Sequence, residues 1–305
     1  MQLRQVPSRA NSARPTRPSR RDTLMTYIDY TVLDINVSDG IASVTLNNPP
    51  LNLLDATLVG ELKRFIREVR VDETVRVIVF DSYDSEFFAA HVDAGYMVDS
   101  EGFAAMGAGD GDTTLNPMQH MMLSIRQLPQ VTIAKLRGRL RGGGNEIAMA
   151  MDMRFAAAGE TWLSQIEIRM GIIPGGGGTQ LLPPLVGRAR AIEAILSGNL
   201  VDTETAERWG WINRALPSDE LDSFVDALAR RFASMSAGQI EATKRSVDAA
   251  LGIDLEAGLK KEGEFLGLVY PASQAVIDRM SRALAGGVQT REQELNLEDS
   301  LDAFN

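Results

Sequence analysis

Glu146 and Glu167 are the residues whose types and spacing best suit acid–base chemistry, because each lies beside a run of glycines. Gly142-Gly143-Gly144-Asn145-Glu146 places three glycines before a stretch that can start a helix, with a carboxylate in its first turn; residues 147–151 then continue as a buried apolar helix. Glycine lets backbone come close to a ligand because no Cβ intervenes. A helix N-terminus adds unpaired N–H groups and partial positive charge. Together these suit a developing oxyanion, with Glu146 within reach as a base or acid. The second run, Pro174-Gly175-Gly176-Gly177-Gly178, follows another carboxylate, Glu167, so each glycine loop is coupled to a glutamate. Two tight turns would account for the glycines alone, but not for the two carboxylates.

Elements able to hold these residues are legible on both sides. Residues 30–46 alternate as two strands with Ser38-Asp39-Gly40 as the turn. Leu58, Val59, Leu62, Phe65, Ile66 and Val69 share one helical face, opposite Lys63, Arg64, Arg67 and Glu68. Residues 75–80, 131–136 and 153–158 read as strands largely buried on both faces. Residues 97–115, rich in Gly, Asp and Ala, read as a mobile loop or a weak helix, and 117–128 as a helix with its proline in the first turn. Strand and helix alternate up to about residue 200, which predicts an α/β core. Helices follow: one from 203 capped at Asp202 or Thr203, an amphipathic stripe of Leu221, Phe224, Val225, Leu228 and Phe232, then 237–250, 254–268 and 272–285. The expected organisation is a disordered basic leader (1–24), an α/β core (25–204), a helical C-terminal region (205–290) and an acidic tail (291–305).

Composition narrows the chemistry. The chain has 305 residues and no cysteine, so disulfides, thiolate metal sites and a cysteine nucleophile are excluded. Only His91 and His120 are present, which disfavours a multi-histidine metal site, and no Gly-x-Ser-x-Gly elbow accompanies them. We expect no metal. The net charge of −10 disfavours nucleic acid as a partner. Six arginines and one acid fall in residues 1–24, leaving 25 basic and 40 acidic residues in the remainder. The leader resembles a transit peptide only weakly; it reads as a disordered extension, or as an over-long start with Met25 beginning the folded protein. No apolar run is long enough to span a membrane, and a cytoplasmic location is expected.

The ordered set of segments resembles the crotonase (enoyl-CoA hydratase/isomerase) superfamily over roughly residues 28–250. Val44-Thr45-Leu46-Asn47-Asn48-Pro49 with Leu51-Asn52 is similar to that family's first strand and CoA-side loop. Phe88-Ala89-Ala90-His91-Val92-Asp93 resembles its Phe-x-Ala-Gly-Ala-Asp segment, and Gly142-Gly143-Gly144-Asn145-Glu146 its Gly-Gly-Gly-x-Glu helix start. Gln165-Ile166-Glu167, followed by residues 171–180, resembles its Gln-Pro-Glu and Ile-Pro-Gly-x-Gly-Gly-Thr-Gln block. Residues 185–189 and 206–213 extend the likeness. The resemblance implies a spiral of ββα units, with C-terminal helices that mediate trimers or a dimer of trimers. It implies an acyl-CoA substrate, with coenzyme A entering as part of that substrate and no separate cofactor. By matching position, the N–H groups of Val92 and Gly143 hold the thioester oxygen, and Leu51, Leu53, Ala90 and Val92 meet the CoA arm through main-chain contacts. Glu146 and Glu167 fall on the two carboxylates of the hydratase branch, the first activating water and the second delivering a proton to Cα.

The chain departs from the pattern at several points. His91 and Val92 replace glycine and alanine, and His91 is either a third acid–base group or a ring pointing outward. Ile166 replaces the proline before Glu167, and one extra residue separates the two glutamates, expected to be absorbed at 157–161. Lys244-Arg245 and Lys260-Lys261 are candidate phosphate partners for CoA, but such pairs on helices are usually solvated faces and are not taken as sites. Met106, Met118, Met121 and Met122 suggest an adaptable apolar wall for the acyl group, or ordinary core. The alternatives to hydration are isomerisation, hydrolysis or decarboxylation on the same scaffold, or acyl-CoA binding without catalysis. Neither glycine loop fits a dinucleotide fingerprint.

Overall fold

A computed structural model of the chain describes residues 27–286, apart from 98, 112–113, 253–254 and 269–271. The expected leader (1–24) and acidic tail (291–305) lie outside the described residues. The expected hairpin forms from β1 (Leu33–Ser38) and β2 (Ile41–Leu46), paired antiparallel. Asp39 and Gly40 both take positive φ, +53° and +79°. That tight turn matches the right-handed twist of the strands it joins. Helix α1 (Ala56–Arg70) is capped by Asp55, which accepts the Leu58 N–H at 2.8 Å, and buries the predicted apolar face. Tyr27 and Tyr30 tie the first described residues to the far end of that helix through Asp72 and Glu68, each at 2.8 Å.

Strands β3 (Val77–Ser82), β4 (Phe87–Ala89), β5 (Val131–Arg141) and β6 (Met153–Ser164) continue the sheet. Two short strands, β7 (Val201–Asp202) and β8 (Arg214–Leu216), flank β6. The order is β1-β2-β3-β5-β6-β7, with β4 also on β5 and β8 also on β6. β3 alternates between two cores, Ile78 and Phe80 entering one and Val77 and Val79 the other. Burial on both faces is therefore the reason its sequence is a continuous apolar run.

β5 and β6 outrun the expected spans of 131–136 and 153–158. Beyond Leu136 the pattern becomes Arg137, Gly138, Arg139, Leu140, Arg141, with the arginines half-exposed and Leu140 buried. The strands pass from burial on two faces to burial on one, so the apolar run stops while the strand does not. Their register slips where Ala156 opposite Leu136 gives way to Thr161 opposite Gly138. Residues 157–160 bulge there, within the stretch expected to absorb an extra residue. Past the bulge β5 takes β4 as its other neighbour, which brings the 87–92 segment beside the end of β5.

Residues 97–115 include a helix, α2 (Ser100–Ala105), capped by Asp99, and are followed by α3 (Pro117–Arg126), which Asn116 caps. Helix α4 (Gly143–Ala150) leaves β5 with all eight residues buried. Then come α5 (Gly178–Val186), α6 (Arg188–Ser197), α7 (Thr203–Trp209), α8 (Ser218–Ala233), α9 (Ala237–Ala249), α10 (Leu255–Leu266) and α11 (Gln274–Ala285). The change of character near residue 205 is not a break in packing. Ala206, Trp211 and Ile212 belong to the main core, β8 joins the sheet, and α8 covers its second face through Leu221, Val225 and Ala229. Among the described residues no helix is long and apolar enough to cross a membrane.

Candidate active site

The site is assembled from a loop, a helix start and a glycine turn, each fixed by backbone contacts. Asn52 anchors the loop. It is 2% exposed and takes φ +50°, a conformation asparagine tolerates better than most residues. Its Oδ1 accepts from the Asn48 N–H at 2.7 Å, and its Nδ2 donates to Ser82 Oγ at 2.8 Å and to the Phe88 carbonyl at 3.2 Å. The loop then runs beside the end of β4. The Ala90 N–H donates to Leu51 O, the Leu54 N–H to His91 O and the Asp93 N–H to Leu54 O. This is a parallel bridge between Leu54 and Val92, in which Val92's neighbours make the bonds and its own N–H turns away. Leu51 and Ala90 are thereby hydrogen-bonded to each other where the loop passes β4. The Leu53 carbonyl is already taken, by Asn48 Nδ2 at 3.0 Å and the Asp55 N–H at 2.9 Å. His91 Nδ1 lies 2.8 Å from the Val92 carbonyl, so the ring folds back on its own strand.

Helix α4 enters against this strand. A Cβ on Gly144 would sit 2.1 Å from the Ala89 carbonyl, so only glycine permits the approach. The same docking sets Gly143 against Val92, whose Cγ2 would lie 2.5 Å from a Gly143 Cβ. As the first residue of α4, Gly143 has no acceptor for its N–H within the helix.

Glu146, one turn in, is 1% exposed. Its Oε1 accepts two backbone N–H groups, from Gly176 at 3.0 Å and Gly178 at 2.7 Å. Gly178 opens α5, so the carboxylate also sits at the positive end of that helix. Burial pushes the Glu146 carboxyl up from its ordinary value, and the two N–H groups pull it back toward ionisation. Glu167 is 8% exposed, at the head of a 3-10 turn, Glu167–Met170. Gln165 Nε2 stands 3.5 Å from both of its oxygens, too far for strong hydrogen bonds. Burial, and then the charge of Glu146, push its carboxyl up to about 7. Ile166, in place of proline, leaves Glu167 facing inward.

The loops are crossed. The sequence couples the 174–178 loop to Glu167, its near neighbour, but the loop's N–H groups hold Glu146. Glu167 instead faces the first loop: Gly142 takes φ +49°, and a Cβ there would lie 2.8 Å from Glu167 Oε1. The reason is topological, since the parallel pairing of β5 and β6 sets the two chain ends side by side and each loop reaches across to the other's carboxylate.

Two partners were not singled out on sequence. Gln165 is fully buried, and Asn145 Nδ2 donates to its Oε1, making an amide relay behind Glu167. Only their places within the two glutamate motifs pointed to them. Lys244 is corrected as a phosphate candidate: its ammonium is engaged by Asp152 at 2.7 Å and by the Leu128 and Gln130 carbonyls at 2.8 and 2.6 Å. Three acceptors use its three donors. Arg245 pairs with Glu241 at 3.3 Å and lies over the Phe265 ring. Among the described residues no group of His, Asp and Glu side chains could hold a metal ion.

The fold and this pair of loop-bound carboxylates define a crotonase-type protein. Residues 36–275 match the family model described as enoyl-CoA hydratase/isomerase. A probable enoyl-CoA hydratase of Bacillus subtilis is 30% identical over 244 residues, covering 80% of this chain and 92% of that one. The mitochondrial enoyl-CoA hydratase domain-containing protein 2 of Bos taurus is 30% identical over 231 residues, 74% of this chain and 76% of its own. A crystal structure of an enoyl-CoA hydratase candidate from Streptomyces avermitilis is 44% identical, with a TM-score of 0.69 over 90% of this chain and 99% of that one. An enoyl-CoA hydratase from Geobacillus kaustophilus, 25% identical, superposes with a TM-score of 0.75 over 85% of this chain and 95% of its own. The chain belongs to the enoyl-CoA hydratase/isomerase family.

Proposed function

We propose that this protein hydrates a 2-enoyl-CoA to the 3-hydroxyacyl-CoA. The observation that carries the reading is the unequal pair of buried carboxylates, Glu146 held by two N–H groups and Glu167 raised to about 7. The thioester oxygen lies between the N–H groups of Val92 and Gly143. Negative charge gathers on that oxygen as the nucleophile attacks, and preorganised donors stabilise it far better than bulk water. Glu146, as carboxylate, orients a water and takes its proton while the water oxygen bonds to Cβ. The electron pair of the double bond moves into the enolate, and Glu167, as the neutral acid, returns a proton to Cα. Water is thus added across the double bond with no change of oxidation state. The CoA arm runs beside Leu51, Leu53, Ala90 and Val92.

Two buried carboxylates in unlike surroundings favour hydration over double-bond migration, which one proton shuttle suffices to carry out. We also propose a homotrimer or a dimer of trimers, because α10 and α11 leave Leu259, Leu266, Ile277 and Leu284 about half exposed. The test is crotonyl-CoA in deuterated water, following loss of the conjugated thioester absorbance and identifying the product. The expected product is 3-hydroxybutanoyl-CoA with one deuteron at Cα. A shifted double bond, or free coenzyme A, would replace the reading with isomerisation or hydrolysis.

A further inference from the structure

The half-buried ring of His91 is spent on its own backbone. Its Nδ1 lies 2.8 Å from the Val92 carbonyl oxygen. A carbonyl oxygen can only accept, so the bond puts the proton of the neutral ring on Nδ1 and leaves Nε2 without one. Asp93 does not compete for the ring, because its Oδ1 accepts the Gly95 N–H at 2.8 Å.

This contact spans the peptide that carries the N–H assigned to the thioester oxygen. In the trans peptide between His91 and Val92, the C=O and the N–H point in opposite directions. The carbonyl edge is fixed by the Leu54 N–H at 2.9 Å. The loop of bonds from Nδ1 round to the Val92 oxygen contains both torsions that flank this peptide, ψ of His91 and φ of Val92. The peptide plane therefore cannot turn without breaking the ring's bond or the Leu54 bond. A second effect is electrostatic. In a parallel bridge the central residue directs both its N–H and its C=O away from the partner strand. The Val92 carbonyl thus shares an edge with the Val92 N–H, and its negative end would repel charge gathering on a nearby oxygen. The His91 Nδ1–H covers that carbonyl.

Resting on the hydratase reading, we infer that His91 is a positioning residue for the oxyanion donor: its Nδ1–H holds the Val92 N–H in line and screens the Val92 carbonyl from the enolate. The glycine of the family pattern at this position has no side chain to do either, so the device belongs to this chain. Its effect falls on the transition state, in which the oxygen is charged, and little on binding of the uncharged thioester.

The experiment compares wild type, His91→Asn and His91→Ala in the full-length protein. Asparagine keeps an N–H donor, Nδ2, on the atom equivalent to Nδ1, and alanine removes it. His91→Ala should lower kcat for crotonyl-CoA hydration about tenfold, a part of the 10²–10³ that losing a whole oxyanion donor costs. Its KM, and its calorimetric Kd for unreactive butanoyl-CoA, should stay within about twofold of wild type, and His91→Asn should keep kcat within about threefold. Infrared difference spectra of bound butanoyl-CoA, isotopically labelled at the thioester carbonyl, should place the C=O stretch lower in wild type and His91→Asn than in His91→Ala. Nitrogen NMR of histidine-labelled protein, assigned with His120→Gln, should find neutral His91 protonated on Nδ1; a ring protonated on Nε2 overturns the inference. So does a His91→Ala protein with wild-type kcat and carbonyl frequency. A His91→Asn protein that loses as much as His91→Ala also overturns it, since the ring's bulk and not its N–H would then matter. A wild type that hydrates no 2-enoyl-CoA, while the bound carbonyl frequency still follows the donor at position 91, supports the positioning role and overturns the hydratase reading instead.

Discussion

Glu146 and Glu167 are the same residue type, both buried, and each lies next to a glycine loop, yet their surroundings differ in kind. Glu146 receives two backbone N–H groups at 3.0 and 2.7 Å on one oxygen. Glu167 has an amide nitrogen at 3.5 Å and the charge of Glu146 nearby. Burial raises both carboxyls, and the two N–H groups offset part of that rise at Glu146. Hydrogen bonds to the charged form favour ionisation, whereas burial beside a like charge disfavours it. The lesson is that backbone N–H groups, not side-chain identity, set two identical acids apart.

Removing either carboxylate tests that division most severely. Glu146→Gln and Glu167→Gln should each lower kcat for crotonyl-CoA hydration by roughly 10²–10⁴-fold, the usual worth of a positioned acid or base. The wild-type rate of hydration should fall as pH rises through about 7, where Glu167 loses its proton. The same limb retained in the residual activity of Glu167→Gln would break the assignment of the acid to Glu167.

A smaller effect is expected from disturbing the N–H cradle while leaving both carboxylates in place. A Cβ on Gly176 would sit 2.2 Å from Glu146 Oε2, whereas one on Gly175 meets only the Ile173 carbonyl at 3.9 Å. Gly176→Ala should lower kcat by up to about 10²-fold, the lower end of what losing one preorganised donor costs, and Gly175→Ala by far less. Equal losses from steady-state assays of the two variants would show that the loop acts through its flexibility and not through this contact.

The smallest effect is on stability. The folded pKa of Glu167 lies near 7, above its ordinary 4.5, so the neutral form suits the fold. Its contribution is complete below about 4.5 and is lost as pH rises through about 7. Glu167→Gln, which cannot ionise, should match wild type in thermal unfolding near pH 4.5 and exceed it at pH 8 by about 1–3 kcal/mol. A variant less stable at pH 8 would mean that the carboxylate has partners that stabilise its charged form.

How much of this was legible beforehand varied with the range of the contact. The 3.6-residue stripe of α1 and the doubly buried run of β3 were readable, because local periodicity reports which faces meet a core. The far halves of β5 and β6 were not, since arginines alternate with leucines there and the apolar run that marked each strand stops. β4, β7 and β8, of three, two and three residues, are too short for any period to show.

The sequence by itself determined which residues are available for chemistry: two glutamates, two glycine runs and the segment from Phe88 to Asp93, in the order that marks the family. Tertiary structure decided what each of them meets. The glycine loop after Glu167 serves Glu146, a contact spanning 30 and 32 positions in sequence. Lys244 is consumed by Asp152 and two carbonyls instead of facing an anion. The reason is physical. Residue type and spacing fix the local backbone, but hydrogen-bond partners and the loss of water at a carboxylate depend on which strands lie side by side, and only the packed sheet sets that.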